Sequence, residues 1–178
     1  MKVVVLNGSP RQGNTKDVVD AFIEGSKGLE ITKYDLRTSK VAPCVACEAC
    51  TKLKGSCKDK DSTNEILGSI KEADAIVFAT PIYWWGMTAQ LKAVVDKMYA
   101  FKGLDWDIPK KKIGLLIVGG APTGTSGYEI ISSQVKEIGK YLEWDVRFIE
   151  EVQAYQIGEA KQNTSKIESI KELYQKLL

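Results

Sequence analysis

The chain has 178 residues, 44% of them hydrophobic and 27% charged, the balance of an ordinary soluble globular protein. Its 25 basic and 23 acidic side chains leave a net charge of +2, so no basic excess points to nucleic acid or to a membrane surface. Histidine is absent, which excludes Ser-His-Asp and Cys-His nucleophile pairs and imidazole metal ligands, and leaves demanding chemistry to a cofactor.

Lys2 to Leu6 is a short β-branched run ending at Asn7-Gly8, the pattern of a buried parallel strand. Its apolar part, Val3 to Leu6, is too short for a signal-peptide core. No stretch approaches the roughly 20 apolar residues of a membrane helix. A soluble, cytoplasmic protein is the expectation. Residues 14–28 predict a helix capped by Asn14, with Val18, Val19, Phe22 and Ile23 on one face. Leu29 to Leu36 alternates more and predicts a strand nearer a sheet edge. Residues 37–61 are irregular and hold all four cysteines.

A helix starts next at Ser62, spaced from Glu65 as in a capping box. Asp74 to Thr80 predicts a third strand, stopped by Pro81. Residues 87–101 predict an amphipathic helix burying Met87, Leu91, Val94, Val95 and Met98. Lys112 to Val118 predicts a fourth strand, residues 127–140 a helix, and Trp144 to Glu150 a fifth strand. The last helix opens on a second capping-box pair, Ser165 with Glu168, and turns Ile167, Ile170, Leu173 or Tyr174, and Leu177 inward. Strand and helix alternate five times with no repeat, linker or low-complexity tract. The expectation is one α/β domain over residues 1–178, a doubly wound parallel sheet between helical layers. Ligands of such sheets sit at the carboxyl ends of the strands, where loops 7–15, 80–87 and 119–128 gather.

The first of these loops reads NGSPRQGNT. It differs from a Walker A loop, G-x4-G-K-[ST], by Asn14 in place of lysine, the residue that reaches the β and γ phosphates. What remains is a helix start with free backbone N–H groups, Ser9, Arg11, Gly13, Asn14 and Thr15, suited to one compact phosphate. The alternative is a plain strand-to-helix turn. The second loop reads TPIYWWGMT, and Tyr83, Trp84 and Trp85 there offer stacking faces for a planar ring, or else a core or oligomer contact. The third, GGAPTGTSGY, brings backbone close through Gly119 and Gly120, with Tyr128 as a candidate lid. A planar heterocycle carrying one phosphate describes FMN.

GSPRQGNT followed by PIYWWGMTAQLKAVVDK resembles the NADPH-dependent FMN reductase family of flavodoxin-like proteins over roughly residues 2–150. The resemblance implies strand order 2-1-3-4-5. It implies Ser9, Arg11, Asn14 and Thr15 on the FMN phosphate, Pro81, Tyr83, Trp84, Trp85 and Gly86 flanking the isoalloxazine, and Gly119 and Gly120 near its other edge. NAD(P)H would be the co-substrate, with a small-molecule electron acceptor or a ferredoxin as partner. The assembly would be a homodimer or homotetramer. No general acid or base stands out, so no catalytic residue is named.

The cysteines read Cys44-x2-Cys47-x2-Cys50-x6-Cys57, which resembles the compact motif of iron–sulfur flavoproteins within that family and, less closely, bacterial ferredoxin ligation. The resemblance implies a [4Fe–4S] cluster exchanging electrons with FMN. Zinc and four reduced, metal-free thiols stay open beside it. A non-enzymatic flavodoxin-type carrier is the rival function, and the slightly basic net charge counts against it.

Overall fold

A computed structural model describes residues 1–178. In chain order the elements are β1 (Lys2–Asn7), α1 (Asn14–Gly25), β2 (Glu30–Asp35), α2 (Ala49–Lys52), α3 (Thr63–Glu72), β3 (Ala75–Pro81) and α4 (Ala89–Lys97). A 3₁₀ turn at Met98–Leu104 precedes β4 (Lys112–Gly119), α5 (Ser126–Leu142), β5 (Asp145–Gln153), α6 (Glu159–Gln162) and α7 (Thr164–Lys171), and a second 3₁₀ turn at Leu173–Leu177 follows. The five strands form one sheet in the order β2-β1-β3-β4-β5, every pair parallel. The expected flavodoxin-like topology is the one observed.

Alternation along each strand builds two cores, because successive side chains of a strand point to opposite faces. Val4, Leu6, Ile76, Phe78, Leu115 and Ile117 pack with Ile66 and Ile70 of α3, Leu91 and Val94 of α4, and Ile131 and Val135 of α5. Val3, Val5, Val77, Ala79, Leu116 and Val118 pack with Val18, Val19 and Phe22 of α1 and with Ile170, Leu173 and Leu177 at the chain's end. Each such fully buried aliphatic or aromatic side chain contributes about 1.5–3 kcal/mol of transfer free energy. β2 pairs only with β1 and is the half-exposed edge strand that its alternation predicts.

Several local expectations give way to competing hydrogen bonds. α1 begins at Asn14 with Gly13 as its cap, and the Asn14 side chain does not cap it. Ser62 makes no side-chain cap at α3, since Asp61 takes the Thr63 amide at 2.9 Å. At α7 Asn163, not Ser165, accepts from the Lys166 amide at 3.1 Å. The helix predicted over residues 87–101 is α-helical only over Ala89–Lys97 before tightening into the 3₁₀ turn. β5 runs on to Gln153, three residues past its predicted end, because Gly119 of β4 pairs with Gln153.

No helix is long and apolar enough to cross a membrane.

Candidate functional site

A cavity of about 720 Å³ opens at the carboxyl edge of the sheet, where β1, β3, β4 and β5 all end. Ser9, Arg11, Gly13, Asn14 and Thr15 line it, together with Pro81, Ile82, Tyr83, Gly119 and Gly120. Seven of the 12 residues predicted to hold the cofactor thus line this cavity on the first two loops, and Gly119 and Gly120 make nine. Trp84, Trp85 and Gly86 do not line it.

The turn between β1 and α1 is held from below. The Gly8 amide donates to Ala79 O at 2.8 Å, and Thr88 Oγ1 donates to Gly8 O at 2.7 Å. The same Thr88 hydroxyl caps α4 by accepting from the Leu91 amide at 3.3 Å. Glycine is required at position 8 by this close approach, since a Cβ there would stand 2.8 Å from Leu91 Cβ and 2.9 Å from Thr88 Oγ1. Above it, Ser9 Oγ donates to Arg11 O at 2.9 Å and accepts from the Arg11 amide at 3.2 Å, which closes the loop on itself. The first intrahelical bond runs from the Asp17 amide to Gly13 O, so the amides just before it stand unpaired, as they do at any helix start. With the exposed Arg11 guanidinium they make a cationic pocket for one anionic group.

Asn14 stands apart from the other phosphate candidates. Its side chain donates to Gln156 O at 2.8 Å and accepts from the Ala160 amide at 3.2 Å, tying the start of α1 to the segment after β5. Asp17 adds an ion pair to Lys161 at 2.8 Å, and Glu159 Oε2 accepts from the Tyr155 and Gln156 amides at 2.6 and 2.8 Å. Those two amides hold the Glu159 carboxyl below its ordinary pKa. This segment supplies a fourth wall, Ala154, Tyr155, Gln156 and Ile157, which sequence reasoning missed. The signal that finds it is the parallel sheet itself: a fifth strand must also deliver its carboxyl end to the ligand edge.

Tyr128 is no lid. Its ring is fully buried, and its hydroxyl lies 3.1 Å from Gly119 O, 3.2 Å from Ala121 O and 3.1 Å from Val152 O. Burial, with Glu151 nearby, pushes the phenol up to about 12, so it stays a donor that pins the β4 and β5 ends together. Trp84 is 91% exposed and Trp85 half-exposed, both with left-handed backbone at φ 46° and 60°. They cap a tight turn in which Tyr83 and Gly86 exchange N–H···O bonds of 2.9 and 3.0 Å. With Ile82, Gly120, Ala121 and Thr125 they border a separate hollow of about 510 Å³ beside the main cavity.

The four cysteines are unbonded to one another, and all four line a second, smaller pocket. Cys44 and Cys47 are exposed, Cys50 and Cys57 half-buried. No three Cys, Asp or Glu side chains are gathered around one point here. The loop is anchored at two points. The Asn64 side chain of α3 accepts from the Cys57 amide at 2.7 Å and donates to Cys57 O at 2.9 Å. Gly103 lets α2 pack against the 3₁₀ turn, since a Cβ there would meet Cys50 O at 2.2 Å. Burial pushes the Cys50 thiol up, and the neighbouring Cys47 and Cys44 add to the rise.

Residues 1–153 match the family model described as NADPH-dependent FMN reductase. The chain belongs to the NADPH-dependent FMN reductase family. It is an FMN-dependent oxidoreductase of that family, and NAD(P)H is the reductant that the family uses. An iron-sulfur flavoprotein of Archaeoglobus fulgidus is 36% identical over 75% of this chain and 68% of its own length. One of Methanocaldococcus jannaschii is 34% identical over 76% and 69%. Among solved structures, an NAD(P)H:quinone oxidoreductase from Methanothermobacter marburgensis shares the flavodoxin-like fold of this reductase. Its TM-score is 0.75 at 21% identity, over 99% of this chain and 96% of that one.

Proposed function

We propose that the reductase binds FMN in the 720 Å³ cavity, takes reducing equivalents from NAD(P)H and delivers them to a small-molecule acceptor such as a quinone, or to a ferredoxin. The observation that carries this reading is a single helix start with unpaired amides and one arginine opening into a cavity walled by flat backbone and apolar side chains. That combination suits a phosphate joined to a planar ring, as in FMN. The α1 amides, Arg11 and Thr15 orient the phosphate. Ile82, Tyr83 and Tyr155 exclude water, and Gly119 and Gly120 bring backbone close to the ring edge. Bound there, FMN supplies hydride acceptance and onward electron transfer.

In the same reading, Cys44, Cys47, Cys50 and Cys57 hold a [4Fe–4S] cluster, which supplies one-electron exchange. Support comes from the shared pocket of the four free thiols and from the names of the relatives at 34–36% identity. The protein is taken to act as one cytoplasmic domain. The exposed Trp84 and Trp85 favour a homodimer or homotetramer.

The test is purification without oxygen, followed by a visible spectrum and by NAD(P)H oxidation assays with quinone, free flavin and ferric acceptors. Two flavin bands with a broad iron–sulfur shoulder between them, and turnover with at least one acceptor, are expected. A colourless protein that takes up no added FMN ends the reading. Flavin bound with no turnover without a partner protein favours the electron carrier.

A further inference from the structure

One buried charge has no part in the flavin cavity. Lys97, the last residue of α4, is 3% exposed, and its ammonium lies 3.3 Å from Cys57 Sγ. A buried ammonium is strongly unfavourable unless it is paired. Here the partners are the Asp59 carboxylate, which Lys58 also contacts at 2.9 Å, and the Cys57 sulfur. Nothing in the packing of α4 requires a cation at this position. Its other inward residues, Leu91, Ala93 and Val94, are apolar. The charge is therefore kept where four thiols face one pocket, with its donor hydrogens on the sulfur and on one carboxylate.

Resting on the cluster reading above, we propose that Lys97 is a positioning residue. It would direct a fixed positive charge and an N–H···S bond at Cys57, and so raise the reduction potential of the [4Fe–4S] centre. The physics is elementary. Adding one electron makes the centre one unit more negative, and a nearby cation in a poorly solvated setting stabilises that form over the oxidised one. Hydrogen bonds to cluster sulfurs act in the same direction. Asp59 sets the aim of the ammonium and, being anionic, tempers its effect.

The experiment uses the anaerobically reconstituted full chain, wild type and K97M, K97R and D59N. Iron and acid-labile sulfide per chain and the EPR signal after dithionite reduction report the cluster. A dye-mediated redox titration reports its midpoint potential. The expected result is a full cluster in K97M with a midpoint shifted to more negative potential, and a midpoint restored toward wild type in K97R. In D59N, where the counter-charge is gone, the midpoint shifts to more positive potential. Equal midpoints in all four loaded proteins overturn the proposal while leaving the cluster reading intact. If K97M fails to fold or load, the K97R and D59N midpoints decide: an unshifted D59N overturns the proposal. A wild-type chain that takes up no iron or sulfide overturns the cluster reading itself, and the proposal with it. Flavin content, read from the same spectra, should be alike in all variants, because neither residue lines the flavin cavity.

Discussion

The cavity and the cysteine pocket are built in opposite ways. The cavity hangs from four strand ends whose side chains are buried, and its walls are cross-braced by Thr88, Tyr128 and Asn14. The cysteine pocket sits on an irregular, largely exposed stretch with left-handed backbone at Ala46, Glu48 and Lys54. It borrows rigidity from only a few points on α3, α4 and the 3₁₀ turn. A site for a large organic cofactor needs a shaped wall before the ligand arrives. A site for an inorganic centre is completed by the bonds that the centre itself makes, so its loop can fold without much core of its own.

The contrast can be broken first at Leu91, which is fully buried beneath Gly8. Leu91→Ala should cost about 2–5 kcal/mol of stability and weaken FMN binding along with it, as denaturant unfolding and flavin titration will show. Stability falling while flavin affinity holds would mean that the turn does not depend on the support beneath it. Arg11→Gln should weaken FMN by about tenfold, through loss of one charge-assisted contact at an exposed position, with the unfolding midpoint unmoved.

A smaller effect tests a buried charge beside the end of α3. Lys111 is buried against the C-terminal end of α3, where it donates to Lys71 O at 2.9 Å and Ala73 O at 2.6 Å. Burial pulls its pKa down from 10.5 to about 8, with Asp74 opposing weakly. Between those values the unfolded chain binds the proton and the folded chain does not. Stability from this group therefore rises as pH climbs from about 8 to 10.5, and is flat below. The stability difference between wild type and Lys111→Met should grow over that window, and a constant difference would sink the assignment. Smallest of all, Cys44→Ser should change stability by no more than about 0.5 kcal/mol and leave FMN affinity alone, while iron uptake falls. A large loss of fold would show that the loop is structural in its own right.

The sheet was legible because its strands are short, β-branched and apolar, and because glycine or proline ends them at Gly8, Pro81 and Gly119. The polar turn between β1 and α1 was legible for a related reason: its glycines and small polar residues sit directly between a strand and a helix start. What was not legible depended on partners distant in sequence. Asn14 looked like a cap or a phosphate ligand, and only the chain at Gln156 and Ala160 reveals its use. Tyr128 looked like a lid because it follows a glycine-rich loop. Yet its helical spacing to Ile131 and Val135 already marked it as core, and that signal was overlooked. Trp84 and Trp85 read correctly as unusual, but composition cannot tell a stacking wall from an uncovered surface.

One helix touches both regions. α4 meets the phosphate turn through its cap, Thr88, and the sulfur pocket through its last residue, Lys97. Nine residue steps of ~1.5 Å place these two ends ~13.5 Å apart along the axis. Each residue also turns the helix by about 100°. Inserting a single alanine midway would barely change its length, yet it would swing the ammonium a quarter-turn away from Cys57 while Thr88 kept its grip on Gly8. The two sites are thus matched in rotational phase as well as in distance, and a length-neutral change in winding would uncouple them.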